Sequence, residues 1–585
     1  MSSTLKWFSR NAGVQVHNAL SVKESSVDDP SSGLGLFVDR TKIDREEMDG
    51  MKDIELLRIA KTATISTYRI NSILKDSSQY SCKQACQRTQ ERMKKAIRDF
   101  LSLKFLTAIT TESVVLVVEL LILHSLKGEY EIPRTLDYYI ETVLLETKVN
   151  SILLCDQKSL SIYEHLFPCK LFGSIFEVVD SFLAKYIPEK SCSLMTIQQM
   201  FAAVQSRTLE IPKQVSADSE DFTVETTLVP VLDFANHDNS LQNAHFDVDR
   251  ETQDVLLLLE LPKCDRLSDN EEFEVFISYS PAEDLMHFCG TYGFAPQTNN
   301  ATQYFNMSLH RSYLKNHAHL NVNLRLFYKW LAINPVIQLI KHEEKWYIND
   351  TGDEFASLLL PFISLGHGLG KSCWEYDSHS YRTFAFFRMS QDEHSHDHQA
   401  LLNIYAKKVI QMENDNQDYI DLPQLAWTMR FKNDDGALLH GRLTAQEALE
   451  VAPFHEPEIF GDAISSFSNY FITYLEWRLN VLREARNEHG TESPILHVLE
   501  NEISIAESII KDKIPLFWTD LEPEAQAMPF SYPLPALHIT HELSPLTKET
   551  PMIPDFASLA LNDFDPSKQT DFLVEELEKY KSFVY

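Results

Sequence analysis

The spacing of apolar positions changes three times along the chain. Residues 1 to about 60 combine a short amphipathic helix, "TLKWFSRNAG", with two strand-like runs, "LGLFVDR" and "IELLRIA". From about 62 to 200 the spacing is helical, most clearly in "QRTQERMKKAIRDFLSLKFL" and in the run from Ser113 to Leu123. Short apolar or alternating runs return between about 203 and 280: "TTLVPVLDF", "AHFDVD", "DVLLLLEL" and "EVFISYS". After Tyr292 the pattern reads as helical to about 510, with "NYFITYLEWRLNVLREA" and "HVLENEISIAESIIKD" as its clearest segments. Two strand-rich blocks flanking a helical block predict an α+β protein. Its first domain, residues 1–300, is a β-fold split by a helical insertion at about 62–200. A mostly α-helical domain over 301–510 and an acidic, Pro-rich segment over 511–585 follow.

Composition narrows the class. With 44% hydrophobic and 24% charged residues over 585 positions, the chain is an ordinary globular protein of more than one domain. The last 85 residues hold nine of its 24 prolines, and 15 acidic against six basic residues. Eight scattered cysteines without a CxxC pair argue against a disulfide framework or a zinc cluster, and fit a reducing compartment. No signal-peptide core opens the sequence, and the most apolar run is short and contains Glu119, so a cytoplasmic protein without a membrane span is expected. The acceptor patterns at Asn300 and Asn306 therefore carry no weight. A net charge of −32 repels phosphate backbones and disfavours nucleic acid, whereas a basic protein partner is attracted. The basic stretch from Lys83 to Arg98 reads as a solvated helix face.

Four pieces carry candidate chemistry. In "SSGLGLFVD", Gly33 and Gly35 flank Leu34 and let the backbone bend and approach a ligand, although such a pair is more often a plain turn. In "QSRTLEIP", Arg207 lies between apolar stretches. "LVPVLDFANHDN" reads as a strand ending in Asn236-His237, an amide and an imidazole placed where pockets form. An Asx turn would explain that pair as well. The segment 271–294 offers a strand ending in Ser278-Tyr279, a helix-like link, and then Tyr292-Gly293-Phe294. "QDEHSHDHQ", with His394, His396 and His398, could hold a transition metal but reads as a polar loop, so no metal site is expected.

In this order the four pieces resemble a SET-domain protein-lysine methyltransferase, specifically the subgroup typified by Rubisco large-subunit methyltransferase. That subgroup splits its SET domain with a helical insert, adds a helical substrate-binding domain and lacks zinc-binding cysteine clusters. "ELLRIAKTATIS" resembles its strand before the insert, with Ala60 where proline is common, and "ELLILHSLKGEYEIPRTLDYYI" its central insert helix. The resemblance covers about residues 5–300 well and 300–500 only in helical character. It departs at Ser280, where glycine usually follows the tyrosine, and near Asp284 and Leu285, where an asparagine is usual.

The resemblance implies that Gly33, Leu34, Gly35, Arg207, Asn236 and His237 bind S-adenosylmethionine. Tyr279 would be the catalytic tyrosine, with Tyr292 and Phe294 lining the acceptor channel. A basic non-histone protein is the implied substrate. Cytochrome c is the first expectation, and elongation factors and ribosomal proteins are the alternatives. A non-catalytic adaptor of the same fold is disfavoured by the joint presence of Arg207, Asn236-His237 and Tyr279.

Overall fold

The computed structural model describes residues 3–25, 33–43, 52–102, 112–155, 172–187, 192–214, 222–264, 271–296, 302–314 and 335–351. It also describes parts of 355–443, and 457–488, 495–511 and 513–521. His394, His396 and His398 lie outside these residues. Within them no group of three potential ligands is placed to hold a metal ion, and no helix is long and apolar enough to cross a membrane.

The chain divides into two compact units. The first comprises 1–165, 169–303 and 485–501, and the second 166–168, 304–484 and 502–585. The first unit opens with the helix Ser3–Asn11, whose Leu5 and Phe8 are buried. The strands that follow among the described residues include β1 (Val14–Val16), β2 (Leu20–Glu24), β3 (Leu34–Asp39), β4 (Asp53–Ile59), β5 (Thr208–Gln214), β6 (Phe222–Leu228), β7 (Asn236–His237), β8 (Ala244–Val248), β9 (Val255–Glu260) and β10 (Glu272–Ile277). One antiparallel sheet has the order β1-β4-β9-β8; a second has β2-β3-β10-β7, and β5-β6 form a separate ribbon. In β9, "VLLLLE", buried and half-buried residues alternate, so one face packs inward. β3 is instead buried at four consecutive positions, as expected of a strand covered on both faces.

Between β4 and β5 the described residues form the α-helices Thr67–Lys75, Lys83–Leu101, Glu112–Leu126, Arg134–Tyr139, Phe172–Tyr186 and Leu194–Arg207. Ser66 and Ser193 cap two of them by accepting from Arg69 N–H and Thr196 N–H. Helix Lys83–Leu101 buries Cys86, Thr89, Met93, Ala96 and Phe100 at helical spacing. Its basic residues point outward, except for Arg92, which lies over the Tyr186 ring at 4.3 Å. Helix Glu112–Leu126 is buried almost all round, which explains its unbroken apolar run, and Glu119 lies inside it.

Two expectations need correction. "TTLVPVLDF" is not one strand: β6 stops at Leu228, and a short turn over Leu232–Phe234 separates it from Asn236-His237. Pro230 cannot donate a ladder hydrogen bond, and Val231 takes φ +76°, which ends the strand. The reading of 301–510 as mostly helical also misses strands that the described residues form beside the helices. Strands Thr302–Ser308, Val336–His342, Lys345–Ile348 and Leu516–Phe517 lie side by side in that order, and a four-stranded antiparallel sheet runs from Cys373–Tyr376 to Leu438–Leu443. Short apolar runs such as "VIQLIKH" cannot be told from buried helix by periodicity alone. The two clearest helical patterns do form helices, Pro457–Glu488 and Ile495–Lys511. In this second unit the Tyr474 hydroxyl donates to Ser308 O (2.6 Å), and Arg478 is buried against Glu502. Trp518 is buried with Ile340 and Tyr347.

Candidate functional site

The site lies within the first unit, where β7 pairs with the end of β10. This pairing is parallel, matching Asn236 to Phe276 and His237 to Ile277, so both strands run out at the same place. Strand ends aligned in this way present their following loops to one space. A cavity with about 730 Å³ of empty space, partly open to solvent, opens there. Gly33, Leu34, Arg207, Asn236, His237, Tyr279, Tyr292 and Phe294 all line it. Residues from four distant parts of the sequence thus meet on one wall.

Gly35 does not line this cavity. A Cβ there would fall 2.1 Å from Glu274 Oε1 and 3.1 Å from Asn236 Nδ2, so the residue is small to admit a side-chain bridge behind the wall. Across that bridge, Asn236 Nδ2 donates to Glu274 Oε1 (2.8 Å) and to Leu34 O (3.3 Å), while Ser25 Oγ donates to the same carboxylate (2.8 Å). Gly33 needs its left-handed φ of +57°. Gly293 has φ +81° and packs on residue 150, where a Cβ would lie 1.4 Å from the backbone oxygen. That close approach brings Lys148, Val149 and Asn150 to the cavity, and no pattern in the sequence announced them.

His237 is held from both sides. Tyr279 N–H donates to its Nδ1 (2.9 Å), which places the ring proton on Nε2, facing the buried carboxylate of Glu283 at 3.4 Å. Glu283 also accepts from Asn239 Nδ2 (2.9 Å) and Gln303 Nε2 (2.9 Å). Asn239 in turn accepts from Ser278 Oγ (2.6 Å) and donates to Ser280 O (2.9 Å), gripping the loop on either side of Tyr279. Ser280 uses its hydroxyl locally, donating to Ala282 O (2.6 Å).

The Tyr279 hydroxyl donates to Ala235 O (2.9 Å). Burial, and then the neighbouring Tyr292 hydroxyl, push its pKa well above the ordinary tyrosine value. It therefore stays protonated and serves as a hydrogen-bonding group rather than a base. Tyr292, whose ring centroid lies 4.8 Å from that of Tyr279, is pushed up to about 12 by burial and by Glu210. Phe288 and Phe294 complete the aromatic wall, with centroids 5.3 Å and 6.2 Å from Tyr292.

Arg207 ends the last insert helix, its Nη1 donating to Asp233 O (2.9 Å) and lying 3.6 Å from Asp233 Oδ2. Tyr139 donates to that same Oδ2 (2.7 Å). Burial raises the Asp233 pKa against the opposing pull of Arg207 and Tyr139. Arg207 Nε and Asp233 Oδ1 are buried without a hydrogen-bond partner among the described residues. Asp233 is aimed by a strained turn: Val231 takes a conformation rare for a β-branched residue, at a cost of about 1–3 kcal/mol, and is fully buried.

A second cavity, with about 1180 Å³ of empty space, adjoins the first. It shares Ser206, Arg207, Asp233, Tyr279 and Tyr292, and adds Glu210, Thr226, Phe246 and His287. Burial lowers the pKa of His287, so its ring is neutral at neutral pH. Two adjoining cavities that share Tyr279 and Tyr292 offer the layout a group-transfer site needs, with separate spaces for a donor and an acceptor.

Comparison with known proteins gives that class its particular member. Residues 1–546 match the family described as cytochrome c lysine N-methyltransferase 1. A relative of that name from Saccharomyces cerevisiae is 33% identical over 598 aligned positions, covering 100% of this chain and 99% of its own length. One from Kluyveromyces lactis is 35% identical over 62% of this chain and 71% of its own, and one from Candida glabrata 28% identical over 83% and 89%. The chain belongs to this family of protein-lysine N-methyltransferases.

Proposed function

We propose that this protein transfers methyl groups from S-adenosylmethionine to a lysine of cytochrome c, on a SET-type fold. The observation that carries the reading is the meeting of the two cavities at Tyr279. The cavity lined by Gly33, Leu34, Asn236 and His237 fits the cofactor: it has an edge at Gly33, which carries no side chain, and an arginine with an unpartnered buried N–H. Arg207 would face the cofactor carboxylate, and Leu34, Asn236 and His237 the remainder. The cofactor supplies a methyl group activated by a sulfonium.

The chain's own residues prepare the acceptor. A lysine amine, with an ordinary pKa near 10.4, is neutral in only about one molecule per few thousand at pH 7, so holding it neutral costs roughly 4–5 kcal/mol. Tyr279, Tyr292 and Phe246, which line the second cavity, strip water from the ammonium and favour its neutral form. With its proton committed to Ala235 O, the Tyr279 hydroxyl turns its lone pairs elsewhere, and they can accept from the amine N–H and so aim the nitrogen lone pair. Tyr279 and Tyr292 also tolerate an already methylated ammonium through their ring faces, which permits repeated transfer. The protein's acidic charge favours a basic substrate.

Calorimetry with S-adenosylmethionine tests the first half: binding is expected, and its absence would favour an adaptor. Incubation with labelled cofactor and cytochrome c, followed by mass spectrometry, tests the second, and an unlabelled cytochrome c would overturn the substrate. Asn239 offers a finer check. Asn239→Ala frees both flanks of Tyr279, and a fall of roughly 10-fold in kcat is expected with little change in cofactor affinity. A parallel loss of cofactor binding would show instead that the whole wall had collapsed.

A further inference from the structure

The β5-β6 ribbon has two unlike faces. Inward, Ile211, Glu225 and Thr227 are at most 1% exposed, and the Glu225 carboxylate accepts from Ser66 Oγ. Outward, the cross-strand pair Glu210–Thr226 is followed by the pair Pro212–Val224. Glu210 and Thr226 line the second cavity beside Tyr279 and Tyr292, whereas Val224 is 58% exposed. The outward face is thus a strip that starts at the cavity mouth with a carboxylate and continues, uncovered, to an apolar pair. Alternate positions on a strand lie about 7 Å apart, which is about two residues of an extended peptide.

We propose that this strip docks the part of the protein substrate next to the acceptor lysine. Glu210 meets a positively charged side chain near the acceptor, and Pro212–Val224 meets an apolar side chain about two residues further on. The proposal rests on the reading of the second cavity as the acceptor side. Two features argue for a basic polypeptide as occupant: the strip is continuous with the cavity that would hold its lysine, and a carboxylate stands at the junction. A rim charge of this kind selects partners and registers them more than it adds bulk affinity.

The test uses the full-length protein with Val224→Asp and Glu210→Gln. Val224→Asp is expected to raise KM for cytochrome c by about 5- to 10-fold while kcat and cofactor affinity stay within about twofold; Glu210→Gln is expected to raise KM by about 3-fold or more. Direct calorimetric binding to cytochrome c, which needs no turnover, should weaken in step. Unchanged KM and unchanged binding in both variants overturn the docking strip. A wild-type protein that binds cytochrome c but transfers no methyl group would instead fail the acceptor reading, and the binding comparison would still decide the strip.

Discussion

Tyr279→Phe is expected to lower kcat for methyl transfer by about 100-fold or more, with S-adenosylmethionine affinity nearly unchanged. The substitution removes one oxygen and keeps the ring that packs 4.8 Å from Tyr292 and 5.1 Å from His237. The Tyr279 backbone N–H still donates to His237 Nδ1, so the imidazole and the cofactor wall are not released. The hydroxyl alone is lost, and with it the group proposed to accept from the acceptor amine. Because burial holds the Tyr279 pKa far above neutrality, the rate in the wild-type protein should show no limb from tyrosine ionisation across the neutral range. Single-turnover kinetics with saturating cofactor check both points. Undiminished turnover in the phenylalanine variant would remove Tyr279 from the mechanism.

Glu119→Leu is expected to stabilise the fold, by an amount that grows with pH. Glu119 is 5% exposed in an apolar helix, its Oε2 has no partner among the described residues, and burial pushes its pKa from the ordinary 4.5 up to about 8. Below about pH 4.5 the carboxyl is protonated in folded and unfolded chains alike, and it costs little beyond its unmet hydrogen bonds. Above that, ionisation favours the unfolded chain until about pH 8, where the folded form ionises too. Each pH step of one between those limits adds about 1.4 kcal/mol, so the accumulated penalty is roughly 4–5 kcal/mol. Denaturant unfolding at several pH values should show the variant's advantage rising through this window and levelling near its upper end. A constant advantage would mean that Glu119 is not the titrating group.

The legible parts of the site share one feature: polar residues placed where an apolar run stops. Asn236-His237 and Ser278-Tyr279 stand at such ends, and Arg207 closes a helix just before β5. Their supports were hidden for the opposite reason. Glu274 and Glu283 lie in acid-rich stretches and Asp233 ends an apolar run, so all three look like ordinary surface charges; only their burial shows that each answers a named partner. Strand parity could not have flagged Glu274, because β10 is buried at four consecutive positions rather than at alternate ones. Tyr139 looked like one apolar residue of the insert, yet its hydroxyl reaches Asp233 across 94 positions of sequence. In the second unit, strands such as Lys345–Ile348 were too short to show a period.

The bridge from Asn236 to Leu34 joins residues 202 positions apart, and the parallel pairing of β7 needs β10 already in place. Closing loops of that length costs entropy before any contact repays it. The pocket proposed for the cofactor is therefore expected to form late in the folding of this unit. Bound cofactor should act as a clasp on the finished chain, slowing unfolding without speeding folding.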